Sequence, residues 1–220
     1  MQASDLISSS LINLHPDDDG NRALFLMDEL RVNHLAVVRK NFYLGILSEK
    51  EILSWDNPDE FIEEHLAELS APSVIGSQHL FDIIQEVESN SLSIIPVLDE
   101  KKYYLGSITN RKLLYTIAKS SAVQSVGGII VLTMNQNDYS MSEIARIIES
   151  NDGKILSSYI TSTPTSTEME LTIKVNKTDI DAIIKDFERF EYKVMASYKE
   201  SSLQDDFTER YESLMRYLNP

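Results

Sequence analysis

Hydrophobic and polar positions follow the same order twice in this chain. Residues 14–53 and 74–114 align when the numbering is shifted by 60. Ala23, Leu24 and Met27 then fall on Ile83, Ile84 and Val87, and Leu35-Ala36-Val37-Val38 falls on Ile95-Pro96-Val97-Leu98. Past one inserted residue the shift becomes 61, and Gly45-Ile46-Leu47-Ser48 falls on Gly106-Ser107-Ile108-Thr109. A matching order of elements at low identity marks an internal repeat. In each copy the helical spacing of apolar positions predicts a helix with one buried face. Short apolar runs on either side of Arg39-Lys40-Asn41 and of Asp99-Glu100-Lys101-Lys102 predict hairpins. Asp18 or Asp19 is placed to cap the first helix, and Ser77 its counterpart. Ser48 and Glu51 have the spacing of a capping box ahead of a second helix, and Thr109 opens the equivalent one. Each unit therefore reads strand–helix–strand–strand–helix. Residues 2–9 are expected to form a short helix, and residues 59–69 a helix joining the copies. A half of about 50 residues buries too little surface to stand alone, so the two copies are expected to pack on each other.

The pattern changes between Ser120-Ser121 and Gly127-Gly128. Residues 129–134 form a continuous apolar run and predict a strand. Met141, Ile144, Ala145 and Ile148 mark a helix that stops at Asn151-Asp152-Gly153. Residues 154–161 predict a second strand. Met169, Leu171, Ile173 and Val175 alternate with polar residues, the period of a strand with one solvated face. Ile180, Ile183, Ile184 and Phe187 give another helix face, and residues 192–198 a last strand. The order is βαββαβ, the split-βαβ or ferredoxin-like unit. Residues 204–218 close the chain as a helix carrying Phe207, Tyr211, Leu214, Met215 and Leu218 on one side, expected to pack on its own subunit. The fold class is α+β. The expected divisions are residues 1–124 for the paired units, 125–200 for the ferredoxin-like domain and 201–220 for the amphipathic helix.

Composition narrows the chemistry. The 220 residues carry a formal net charge of −15 and no cysteine. Disulfides, thiolate metal sites and a thiol nucleophile are excluded. The acidic residues are spread along the chain, so they read as a solvated surface, and on average that surface repels nucleic acid and anionic membrane. No apolar run approaches the roughly 20 residues needed to span a bilayer. The first residues lack a secretory pattern, so the cytoplasm is the expected compartment. His15, His34, His65 and His79 show no metal-ligand spacing. There is no phosphate-binding glycine loop and no Gly-x-Ser-x-Gly elbow. Neither catalysis nor a cofactor is expected.

The two copies resemble a pair of CBS domains, a Bateman module, through residues 45–53 (Gly-Ile-Leu-Ser-Glu-Lys-Glu-Ile-Leu), 106–114 (Gly-Ser-Ile-Thr-Asn-Arg-Lys-Leu-Leu) and 95–99 (Ile-Pro-Val-Leu-Asp). Residues 128–200 resemble an ACT domain by element order. A CBS pair followed by an ACT-like unit is similar to the acetoin-utilisation protein B family. The resemblance implies a regulatory homodimer that binds an adenine nucleotide or S-adenosylmethionine in clefts between the copies and acts on a protein partner. It also implies that an aspartate three residues after Ser48 or Thr109 holds the ribose diol. This chain has Glu51 and Lys112 there. Glu51 is still an acceptor, but it is also placed to close the capping box with Ser48. Lys112 has only donors and with Arg111 suits a phosphate, although both also read as an exposed helix face. His15 and Ile75, on the first strand of each copy, would line the clefts. The turn at residues 135–140 lacks the glycine with which ACT domains admit an amino acid, so that unit reads as a dimerising or packing element. A scaffolding homodimer with vestigial clefts is the alternative.

Overall fold

The computed structural model describes residues 1–119, 121–162 and 166–199. The apolar stripe at residues 204–218 lies outside them. The fold is mixed α+β, and the chain divides into two compact units, Met1–Ala118 and Lys119–Pro220.

In the first unit a 3-10 turn, Ala3–Leu6, precedes α1 (Gly20–Leu30), β1 (His34–Arg39), β2 (Phe42–Ser48), α2 (Glu49–Ile52) and α3 (Ile62–His65). The second copy adds β3 (Val74–Ile75), α4 (Leu80–Ser89), β4 (Ile94–Leu98), β5 (Tyr104–Thr109) and α5 (Asn110–Ala118). Asp19 caps α1 by accepting from the Arg22 N–H at 2.7 Å. β1 and β2 form an antiparallel hairpin in which Arg39 pairs with Phe42. Lys40 and Asn41 between them both have positive φ, as a two-residue type I′ turn requires. The second hairpin has the longer loop, and only Lys102 there has positive φ.

The repeat extends to backbone detail. Leu14 bridges Val37 in parallel, and Val74 pairs with Val97 in parallel. A register shift falls between Val37 and Val38 in one copy and between Val97 and Leu98 in the other. Leu14, Leu35, Val37, Ile46 and Leu47 share one buried cluster with Val74, Ile95, Val97 and Ile108. The hairpins meet through equivalent residues: Phe42 bridges Tyr103, and the Tyr43 and Tyr104 rings stack with centroids 6.5 Å apart. Burial pushes both tyrosine hydroxyls up from their ordinary range.

Two short segments depart from the helices expected of them. Only Ile62–His65 is α-helical within residues 59–69, and residues 2–9 make only the 3-10 turn. Both stretches give their backbone groups to the repeats instead. The Ile62 and Glu63 N–H groups donate to the Asp18 and Pro16 carbonyls, and the Ile46 N–H donates to the Ser70 carbonyl. In the other copy the Ala3 and Ser4 N–H groups donate to the Gln78 and Gly76 carbonyls, and Ser8 N–H to the Ser107 carbonyl. Each copy is thus strapped by the segment that precedes the other. The cap of α4 is His79 rather than Ser77. The Gly76 N–H first donates to the Leu98 carbonyl and the Gln78 side chain accepts from the Ile75 N–H, which carries the turn two residues further.

The second unit comprises α6 (Ser121–Gln124), β6 (Ile129–Asn135), α7 (Met141–Ser150), β7 (Ile155–Thr161), β8 (Glu168–Val175), α8 (Asp181–Arg189) and β9 (Lys193–Tyr198). Its antiparallel sheet has the order β7-β8-β6-β9. Met169, Leu171, Ile173 and Val175 of β8 are buried with Ile144, Ile147 and Ile148 of α7 and Ile183 and Phe187 of α8. The apolar run of β6 is not buried throughout. Ile130, Leu132 and Met134 enter the core, while Ile129, Val131 and Thr133 lie half-buried on the opposite face.

Candidate functional site

Ordinary folding rules bring several of the singled-out residues to one concavity in the first unit. β5 ends at Thr109, whose hydroxyl accepts from the Lys112 N–H at 3.0 Å and so starts α5. The Asn110 N–H donates to the Ser93 carbonyl, and its side-chain amide donates to the Leu92 carbonyl at 2.7 Å, which fixes the helix start against β4. The first strap crosses alongside because the Ser8 N–H is tied to Ser107. The end of α1, where Arg31 adopts a left-handed conformation (φ 56°), supplies the third wall.

These elements enclose a cavity of about 670 Å³, within the range of small-molecule sites. Arg31, Arg111 and Lys112 are its charged lining residues; Ser8, Ser9, Ser10, Ser93 and Thr109 contribute hydroxyls; and Ile7, Leu11, Leu30 and Val32 supply apolar surface. None of the described lining residues is acidic. Arg31 pairs with Asp28 at 3.2 Å. Arg111 is exposed and Lys112 half-buried, and neither has an ion-pair partner among the described residues.

The remaining candidates lie elsewhere. Glu51 turns back on its own helix: its Oε2 accepts from the Ser48 N–H at 2.7 Å and from the Ser48 hydroxyl at 2.6 Å, while the Glu51 N–H donates to Ser48 Oγ. Ser48 is engaged in that same box. His15 sits in an exposed turn, where its Nδ1 lies 3.1 Å from Asp17. Ile75 is half-buried in the parallel pair with Leu98. A neighbouring concavity of about 600 Å³ shares Arg31 and Val32 but adds Asp28 and Glu49, so its charges are mixed.

Residues unforeseen in the sequence join the two copies. The Asn33 N–H donates to Ser93 Oγ at 2.9 Å. The Ser93 hydroxyl lies 3.0 Å from His34 Nδ1, which also accepts from the Ser93 N–H at 3.2 Å. Burial holds His34 below its ordinary pKa, and the Glu51 carboxylate partly offsets this. That Asn33 and Ser93 are equivalent under the shift of 60 was the available signal for this contact.

The chain also has likenesses among known proteins. Residues 3–57 match the family model of the CBS domain, which bears out the resemblance seen in the sequence for the first copy and takes in the segment that straps the second. Among solved structures, the chain is similar to a CBS domain pair/ACT domain protein from Thermotoga maritima (15% identity, TM-score 0.48, covering 54% of this chain and 98% of that one). It is also similar to a candidate acetoin utilization protein from Vibrio cholerae (23% identity, TM-score 0.46, covering 54% and 90%). A third is CBSX2, solved in complex with AMP (20% identity, TM-score 0.44, covering 54% and 96%). Among the described residues no helix is long and apolar enough to cross a membrane, and no group of His, Asp or Glu could hold a metal ion.

Proposed function

We propose that this protein is a non-catalytic regulatory module: a tandem CBS pair that senses a small ligand, an adenine nucleotide, and an ACT-like domain that serves assembly. The observation that carries the reading is the cavity at the start of α5. One ligand there would touch the strap before copy 1, the end of α1 and the start of α5, three elements from different parts of the repeat. Binding would favour whichever arrangement of the copies holds those elements together, and a ligand shifts such an equilibrium only by its differential affinity. The ACT-like assignment is supported by the split-βαβ order of the second unit's strands. We place the protein in the cytoplasm as a homodimer that acts on a protein partner.

The test is thermal unfolding of the full chain with adenine nucleotides, S-adenosylmethionine and amino acids, combined with hydrogen exchange. A ligand at 100 times its dissociation constant should add about 2.7 kcal/mol. Protection should appear in residues 7–11 and 109–115. The competing reading, a scaffold with vestigial clefts, is supported by the engagement of Glu51 within its own capping box. It requires a dimer whose stability no member of the panel alters.

A further inference from the structure

We infer that the α5 cavity recognises its ligand through a phosphate group and does not read a ribose diol, so its ligands are phosphate esters rather than nucleosides or sulfonium compounds. This rests on the ligand-sensing reading above and specifies which chemistry the site accepts. The chain carries a net charge of −15, yet the charged groups lining this cavity are Arg31, Arg111 and Lys112, with no carboxylate among the described lining residues. Arg31 is paired with Asp28 at 3.2 Å, whereas Arg111 and Lys112 have no ion-pair partner among the described residues, so two cations stand uncompensated in an otherwise acidic chain and attract an anion.

The hydrogen-bonding inventory gives the same selectivity. Both hydroxyls of a vicinal diol need acceptors if they are to donate, and the strongest acceptor is a carboxylate. Lys112 and Arg111 have donors only. A phosphate oxygen accepts from these cations and from the hydroxyls of Ser8, Ser9, Ser10 and Thr109. S-adenosylmethionine, with a sulfonium and an ammonium against a single carboxylate, is a net cation that meets like charge and finds no lining carboxylate for its positive groups. The carboxylate of the equivalent position in the first copy, Glu51, is held by Ser48 in its own helix start.

The test is calorimetric titration of the full chain with AMP, 2′-deoxy-AMP, pyrophosphate, adenosine and S-adenosylmethionine. AMP and 2′-deoxy-AMP should bind within about twofold of each other, since no charge-assisted bond to the diol is lost. Adenosine and S-adenosylmethionine should bind about tenfold or more weakly than AMP, and raised salt should weaken AMP. Replacing both cations, Arg111→Gln with Lys112→Gln, should cost AMP about tenfold or more. Ser9→Glu, at an exposed lining position, should have the same effect by placing a carboxylate in the cavity, and it keeps the test valid if the double variant misfolds. A preference of about tenfold or more for AMP over its 2′-deoxy form, or adenosine or S-adenosylmethionine binding as tightly as AMP, overturns the inference and leaves the sensor reading intact. AMP binding that both variants leave unchanged also overturns it. Binding of no compound overturns both.

Discussion

Glu51 Oε2 lies 2.6 Å from Ser48 Oγ and 2.7 Å from Ser48 N, so this carboxylate is tied to its own helix start. Glu51→Ala should destabilise the first unit by about 1 kcal/mol, the usual cost of a lost cap. It should leave AMP affinity unchanged. Chemical denaturation followed by far-UV circular dichroism checks the first outcome, and calorimetry the second.

Gly45 and Gly106 occupy equivalent positions beneath the two straps. A Cβ on Gly106 would come within 2.5 Å of Ile7 Cγ2, and one on Gly45 within 2.7 Å of Leu69 Cβ. Gly106 also has φ +148°, which L side chains rarely adopt. Gly106→Ala should therefore cost about 1–3 kcal/mol by overpacking. Ile7→Ala in the same chain should recover part of that loss, because the two residues share one contact and their effects will not add. A double-mutant cycle that sums to zero coupling would contradict the strapped arrangement.

His34 should make stability depend on pH. Its folded pKa lies below the ordinary value of about 6.5, because burial favours the neutral ring whose Nδ1 accepts from Ser93. The contribution is then fully present above about pH 6.5. It is lost as the pH falls below that value towards the folded pKa, where the unfolded chain takes up the proton first. Unfolding free energies measured near pH 7.5 and 5.5 should differ less for His34→Gln than for the unmodified chain.

Phe187 is fully buried among the residues of α7, α8 and the second sheet. Phe187→Ala should destabilise the second unit by about 3–5 kcal/mol, the cost of a large aromatic cavity. Tyr192, whose ring packs edge-on against Phe187, donates its hydroxyl to Glu143 at 3.0 Å. Burial is the main reason that its hydroxyl is pushed up to about 12, and the bond to the carboxylate acts in the same direction. In ultraviolet titration Glu143→Gln should move that ionisation down.

Much of the first unit is legible from spacing alone, because hairpins and amphipathic helices are written locally. Lys40-Asn41 mark the turn and Ser48-x-x-Glu51 the helix start, and the single inserted residue is the longer second loop. The straps are not legible in this way. Ile7-Ser8 and Leu69-Ser70 carry the same apolar–serine pattern, but their partners are distant residues, and helix propensity suggests the wrong structure for both. The cavity shows the same division. Arg111 and Lys112 could be singled out by their position after Thr109. The serines of the first strap and Arg31 could not, since only the tertiary fold brings them alongside. Glu51 could be read either as a cap or as a ligand acceptor, and sequence offers no means of choosing between local and distant partners.

The crossing of the straps makes the molecule's repeat boundaries differ from its folding boundaries. The residues before Ile12 complete the half that begins at Val74, through Ala3, Ser4 and Ser8. Amino-terminal trimming or a bulky fusion there should therefore be felt first by the downstream half, and a fragment cut to begin at the second copy leaves its own cover behind.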